Sequence, residues 1–461
     1  MIYPFLTLSL KPEILLIQEN DNIILQSANR KLTFHHPLSE LKSALNLLKN
    51  SNNTVVQLRE LVETNGNGIE AVNKFENYLD KLINLGWICF SLPIAKAIPM
   101  TEHYEFNIST IDWQQESFTL SRFAYLHCFA GELLLESPQS KAKIIVHDWQ
   151  GAALIAKLSK PHTLAQLILE TSHIPEITQE TIQQFIILLS ITNMLAVSEN
   201  FHLMQWEFHD LLFHSRSRNG RHNNPVGGTF RFYDKIELMP LTKAPMSDKI
   251  LKLYQPQLED LAKTDISLTT VLESRKSIRE YNQKAPITIE QLGELLYRCA
   301  RIKEVMETKM GKLSRRPYPN GGAMYELEIY PAINCCEGIN SGLYHYQPLE
   351  HTLYHISESN QKVERLLKDA WYSSGQQDTP QVLLVITARF GRLFWKYQAL
   401  AYALILKHVG VLYQNLYLTA TAMNLAPSAL GTGNSDLFAD ITGIEYYEES
   451  SVGEFMLGSR K

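Results

Sequence analysis

Along roughly the first two hundred residues the spacing of apolar positions switches between a strand period and a helix period, and the whole cycle runs twice. "EILLIQEN" and "NIILQSANRKLTFHH" predict strands around the turn residues Asn20, Asp21 and Asn22. "PLSELKSALNLLKN" follows, with Leu38, Leu41, Leu45 and Leu48 at helical spacing behind Pro37. "TVVQLRELVE" predicts a short helix. "EAVNKFENYLDKLINLGW" then sets Val72, Phe75, Leu79 and Leu82 on one face and ends at Gly86, before the strand-like "WICFSL". About 110 residues later the order returns. "FTLSRFAYLH", "GELLLES" and "KIIVHDW" predict strands, and "GAALIAKLSK", "TLAQLILET" and "TIQQFIILLSITNML" predict helices. A few strands with three helices is the layout of a winged helix-turn-helix.

Such a unit can bind DNA, but phosphate contacts need Lys or Arg, and "EAVNKFENYLDKL" is mixed in sign while "TIQQFIILLS" carries no cation, so DNA binding is not expected. A net charge of −5 agrees with the absence of a nucleic-acid face. Dimerisation or scaffolding, and capture of an extended peptide on a sheet edge, both fit these units.

The 461 residues predict two or three domains. Five scattered cysteines, with Cys335 and Cys336 adjacent and no CxxC pair, predict reduced thiols. "MIYPFLTLSLKPEILLI" lacks a basic start and a small-residue cleavage site, and "FIILLSITNMLAV" is too short to span a bilayer. A soluble cytoplasmic protein, with no membrane partner, is expected. Past Glu199, His202, His209, His214 and His222 are spaced without an i, i+4 pair, which predicts polar linker histidines and no metal site.

Four later stretches carry the candidate chemistry. In an extended "SRKSIREY", Arg275, Ser277 and Arg279 point to one side and can converge on an oxyanion. In "RRPYPNGGAMYELEIY", prolines stiffen the approach and Gly321 and Gly322 admit a flat ligand. "ARFGRLFWKYQALAYALILKHVGVLYQNLYLTATAMNL" predicts a long apolar helix from about Tyr397, buried in a core or a dimer interface. Lys396 and Tyr397 stand at its entrance as a candidate proton-transfer pair. "PSALGTGNSDLF" offers backbone N–H groups, and Arg460 in the terminal "GSRK" adds a basic anchor.

Taken together, "SRKSIREY", "RPYPNGGAMYELEIY", "SGLYHYQPLEHTLYHI", "WKY", "QNLYLTATAMNL", "ALGTG" and "GSR" resemble, in family order, the flavin-dependent nitroreductase-like fold and its SagB-type, or McbC-like, dehydrogenases. The resemblance implies FMN, with its phosphate on Arg275, Ser277, Arg279 and Arg460. It implies that Pro319, Asn320, Gly321 and Gly322 lie against the flavin across a homodimer interface. Asn320 stands where the family has Ser, so a hydroxyl contact is replaced by an amide. Ala429, Leu430 and Gly431 match the segment near the flavin's reactive edge, and Gln376 and Asn415 match inward-pointing polar positions. Lys396 and Tyr397 match the pair to which azoline-oxidising members attribute proton abstraction.

Two clamp-like units ahead of such a domain resemble cyanobactin thiazoline oxidases with peptide recognition elements. The expected architecture is α+β: clamps at 1–100 and 101–200, a linker at 201–265 and an FMN domain at 266–461. The implied activity is oxidation of thiazolines or oxazolines in a heterocyclised precursor peptide, beside an azoline cyclase. An NAD(P)H-dependent nitroreductase and a non-catalytic peptide-binding scaffold are the alternatives.

Overall fold

A computed structural model describes residues 6–65, 68–102, 104, 111–196 and 201–461. The chain divides into two units, Met1–Asn224 and Pro225–Lys461. The clamp boundary expected at residue 200 falls outside the described residues.

In the first unit each repeat forms its three helices where the periodicity places them: Ser39–Asn50, Val55–Asn65 and Ile69–Asn84, then Trp149–Lys157, Leu164–Thr171 and Gln179–Ile191. The repeat extends to hydrogen bonds. "TVVQ" and "TLAQ" each start the second helix with the same reciprocal cap. Thr54 accepts from the Gln57 N–H at 3.2 Å and Gln57 accepts from the Thr54 N–H at 2.9 Å. Thr163 and Gln166 do the same at 3.3 and 2.8 Å.

The two repeats share one antiparallel sheet, in the order Asn53–Thr54, Thr7–Leu10, Ile88–Leu92, Ala95–Pro99, Ala142–Val146, Glu132–Glu136, Tyr125–Phe129. Ala95–Pro99 of the first repeat pairs with Ala142–Val146 of the second, Ala97 opposite Ile144. One core accordingly runs from Leu8 and Phe75 through Phe90 to Ile144 and Phe185. Ile88–Leu92 is buried on both faces, Ser91 included. The first repeat's hairpin strands, Leu15–Glu19, Asn22–Gln26 and Lys31–Phe34, stand apart as their own three-stranded sheet.

The second unit is a seven-stranded antiparallel sheet in the order Ile250–Lys252, Thr352–Glu358, Gly342–Gln347, Leu327–Ile333, Val382–Arg389, Glu449–Ser459, Leu425–Leu430. Every residue of Val382–Arg389 is buried. Helices Ile289–Ala300 and Ala401–Ala422 form a core with one face of the sheet, and Gln361–Ser373 and Ser435–Thr442 pack on the other. The long helix starts at Ala401 rather than Tyr397, because Tyr397 is held in a bridge to Gly228. Its buried stripe is Ala401, Ile405, His408, Val409, Leu412, Leu416 and Ala420, whereas Tyr402 and Leu406 are exposed.

The stretch 201–265 does not run as one linker: it divides at 224/225, and its second part is built into the second unit. Ile250–Lys252 is that unit's edge strand. The fully buried Arg392 donates to the carbonyls of Met239, Pro240 and Met324 at 2.6, 2.9 and 2.6 Å. Lys243 donates to the buried Glu449 at 2.7 Å, and Glu449 also accepts from Tyr330 and Thr387. Lys243→Met would strip Glu449 of its cation inside the protein. It should destabilise the second unit by about 3 kcal/mol, the cost of leaving a buried charge unpaired. Denaturant unfolding followed by tryptophan fluorescence measures this, and an unchanged midpoint would contradict it.

Candidate active site

The helix Leu268–Ser274, capped by Ser267, ends where "SRKSIREY" begins, and the segment continues extended. Ile278 donates its N–H to the Pro427 carbonyl at 2.8 Å, fastening the segment to the strand Leu425–Leu430. The Tyr417 hydroxyl on the long helix joins the two. It accepts from the Ala429 N–H at 2.8 Å and lies 2.8 Å from Ser277 Oγ. Since the amide can only donate, the tyrosine's proton is available to Ser277, whose own proton can then turn outward. The Arg275 guanidinium lies 5.2 Å from the Tyr417 ring centroid.

Ser277, Arg279 and Arg460 line one cleft of about 390 Å³ with Lys276, Lys461, Ile278, Glu280 and Gln377. Four cations thus face one carboxylate there. Arg460 is steadied by Asn424 at 3.1 Å, and Arg279 Nε is buried with no hydrogen-bond partner. Gln376 itself is exposed, at φ +60°, and Gln377 takes the cleft position.

A second cluster forms around the glycine pair. Asn415 donates to the Pro317 carbonyl at 3.2 Å, bracing the approach to it. Pro319 is exposed. Beyond it Gly322, Ala323 and Tyr325 all have left-handed φ, of +63°, +57° and +46°, strain of order 1 kcal/mol for each non-glycine residue. The Asn320 side chain accepts from the Tyr325 N–H at 2.9 Å and donates to Glu326 at 2.8 Å, so its amide is spent within the loop. His408 lies 2.7 Å from Glu326 through Nδ1 and 2.8 Å from the Gly321 nitrogen through Nε2.

Gly322 faces the Lys–Tyr pair. A Cβ there would fall on Lys396 Nζ and 2.8 Å from Tyr397 Oη. The Lys396 ammonium is also 5.3 Å from the Phe230 ring centroid. Burial holds the Tyr397 phenol above its ordinary value of 10.

The sequence pattern missed Tyr417, His408 and Glu326. The first two look like ordinary members of an apolar helix, and the third like one position of an alternating strand. His408 and Tyr417 are nine residues apart on that helix, about 14 Å at 1.5 Å per residue. Within one chain the cationic cleft and the glycine pair are therefore two separate groups.

On the far face of the sheet, Leu430 lines a cavity of about 270 Å³ with Asp369, Ser373, Thr432 and Glu454. A Cβ at Gly433 would collide with the Glu454 carboxyl, whereas one at Gly431 would meet nothing. Glu454 is 5% exposed, and burial pushes its carboxyl up to about 7. The folded chain therefore holds a proton that the unfolded chain loses near pH 4.5, and stability falls as pH rises between 4.5 and about 7. Glu454→Gln should stabilise the protein by up to about 3 kcal/mol at pH 8 and give no gain at pH 4.5. Denaturant midpoints at the two pH values check it; an equal effect at both would contradict it.

Comparison with known proteins finds family matches over three stretches of the chain. Residues 1–108 match the ThcOx helix turn helix domain, residues 118–223 match cyanobactin oxidase ThcOx, and residues 272–459 match the nitroreductase family. A protein named as a nitroreductase, MJ1384 of Methanocaldococcus jannaschii, is 28% identical over 191 residues, 41% of this chain and 90% of that protein. The microcin B17-processing protein McbC of Escherichia coli is 33% identical over 118 residues, which are 24% of this chain and 42% of McbC. Among solved structures, the E. coli microcin synthetase McbBCD complex with truncated pro-MccB17 aligns at 21% identity and a TM-score of 0.35, over 54% of this chain and 91% of that one. A structure from Ralstonia eutropha named as a nitroreductase aligns at 20% identity and a TM-score of 0.37, over 51% and 99%. No helix among the described residues is long and apolar enough to cross a membrane.

Proposed function

We propose that this chain, a McbC-like oxidase of nitroreductase fold behind a ThcOx-type helix-turn-helix unit, uses FMN, held between two copies of itself, to oxidise azoline rings in a ribosomally made peptide. The observation that carries this is the meeting of Lys396 Nζ and Tyr397 Oη at Gly322, where the absence of a side chain lets both polar ends come up against the backbone.

The residues suit the cofactor. Arg279, half-buried with its Nε enclosed and without a hydrogen-bond partner, shares its cleft with Ser277 and Arg460, which is what a phosphate dianion needs. Arg275 sits beside the same cleft over Tyr417. A homodimer in which one copy's glycine pair meets the other copy's cleft would unite the two groups. FMN, when bound, supplies a two-electron acceptor.

Conversion of a thiazoline to a thiazole removes a proton from Cα and a hydride from the ring CH2, and the ring gains aromaticity. The protein's work is to hold the ring and take the proton. Tyr397, its phenol held above its ordinary value by burial, can donate a hydrogen bond, and Lys396 in its neutral amine form would be the base. Because the ring must already exist, an azoline cyclase acts upstream.

Peptide capture falls to the first repeat. Its hairpin sheet keeps Lys31–Phe34 as an edge strand, whereas the matching strand of the second repeat, Ala142–Val146, is flanked on both sides.

The test is a visible spectrum of the purified protein followed by anaerobic addition of a thiazoline peptide. Bleaching of the flavin band, with loss of two hydrogens from the peptide, is expected. Bleaching by NAD(P)H alone would assign the chain to nitroreductase chemistry, and a colourless protein would leave a scaffold. Lys396→Ala should lower turnover by about 10²–10⁴-fold while the flavin stays bound; loss of the flavin would make Lys396 structural.

A further inference from the structure

His408 is buried in the middle of the long helix, at 6% exposure, with both ring nitrogens engaged. Nε2 lies 2.8 Å from the Gly321 backbone nitrogen. A backbone N–H can only donate, so Nε2 has to carry a lone pair. Nδ1 lies 2.7 Å from Glu326 Oε1 and 2.9 Å from Asn320 Nδ2. Were Nδ1 also to accept, from Asn320, the ring would have no proton at all. The ring proton is therefore on Nδ1 and goes to Glu326. The Asn320 amide goes to the other carboxylate oxygen, at 2.8 Å. An imidazolium would set a second N–H against that of Gly321.

We propose that His408 is a positioning residue for the oxidation, locked by Glu326 as the neutral Nδ1–H tautomer so that Nε2 holds the Gly321 amide and aligns Gly322 with Lys396 and Tyr397. Glu326, with no exposed surface, orients both His408 and Asn320. The buried stripe of the helix supplies the fixed point. The loop needs one: it runs through left-handed backbone at Gly322, Ala323 and Tyr325, and strain of that kind persists only where neighbours over-determine it. Gly322 is the next residue along from the held amide, and its Cα faces Lys396 Nζ and Tyr397 Oη. Nothing in this requires His408 to touch the substrate.

The assay arm rests on the azoline-oxidase function proposed above; the spectroscopic arm does not. Long-range nitrogen–proton correlation on the full chain, labelled at histidine and assigned with His408→Gln, should show His408 protonated at Nδ1 and bare at Nε2. A proton on Nε2, or on both nitrogens, overturns the proposal whether or not the peptide is turned over. His408→Leu removes the acceptor, while His408→Gln keeps an acceptor oxygen near the Nε2 position. With a thiazoline peptide, His408→Leu should lose about tenfold in kcat with KM nearly unchanged, the factor expected for one buried hydrogen bond, and His408→Gln should recover most of it. Equal impairment of the two variants, or no loss in His408→Leu, would reduce His408 to core packing. Should His408→Leu fail to fold, the tautomer and the His408→Gln rates still decide.

Discussion

The helix Ala401–Ala422 cannot rotate, and the candidate site depends on that. Ile405, Val409, Leu412, Leu416 and Ala420 are each 5% exposed or less, on a stripe shared with the sheet core. Turning the helix by one residue would move this stripe out of the core at about 1.5–3 kcal/mol per large side chain. His408 and Tyr417 are held by the same stripe. One reaches the glycine loop, and the other joins Ser277 to Ala429. A packing constraint with no chemistry of its own thus sets where two polar anchors stand.

A second constraint comes from residues 225–265. Arg392 spends its guanidinium on three carbonyls, two of them from that segment and one from Met324 beside the glycine loop. Phe230 donates its N–H to the Lys396 carbonyl, and its ring lies beside the Lys396 ammonium. What reads as a connector therefore packs directly against the Lys–Tyr pair. Its polar, turn-rich sequence reflects work done through backbone carbonyls, which carry no side-chain signature.

In the first unit, duplication has become asymmetry. The two repeats keep the same helices and the same Thr–Gln cap, yet one hairpin sheet stands free while the other is merged into a seven-stranded sheet. The merger buries Ala97 against Ile144 and extends one core across both repeats. It leaves the repeats unequal as surfaces for an added strand.

Much of this was legible in the residues themselves. Period located the six helices of the first unit, and "SRKSIREY" was legible as an extended cationic run; of its alternate residues, Ser277 and Arg279 line the cationic cleft, whereas Arg275 lies over Tyr417. The pairing of Lys396 with Tyr397 and the doubling of glycine at 321 and 322 were visible as motifs. Local rules act over a few residues, and these features are that short. The tertiary structure alone decided that Lys396 meets Gly322, 74 positions away in the chain, that Tyr417 and His408 turn their polar ends to different loops, and that the second part of the supposed linker belongs to the second unit. Those contacts follow from strand register and from the burial of one helix stripe, which are properties of the whole packed sheet rather than of any short stretch.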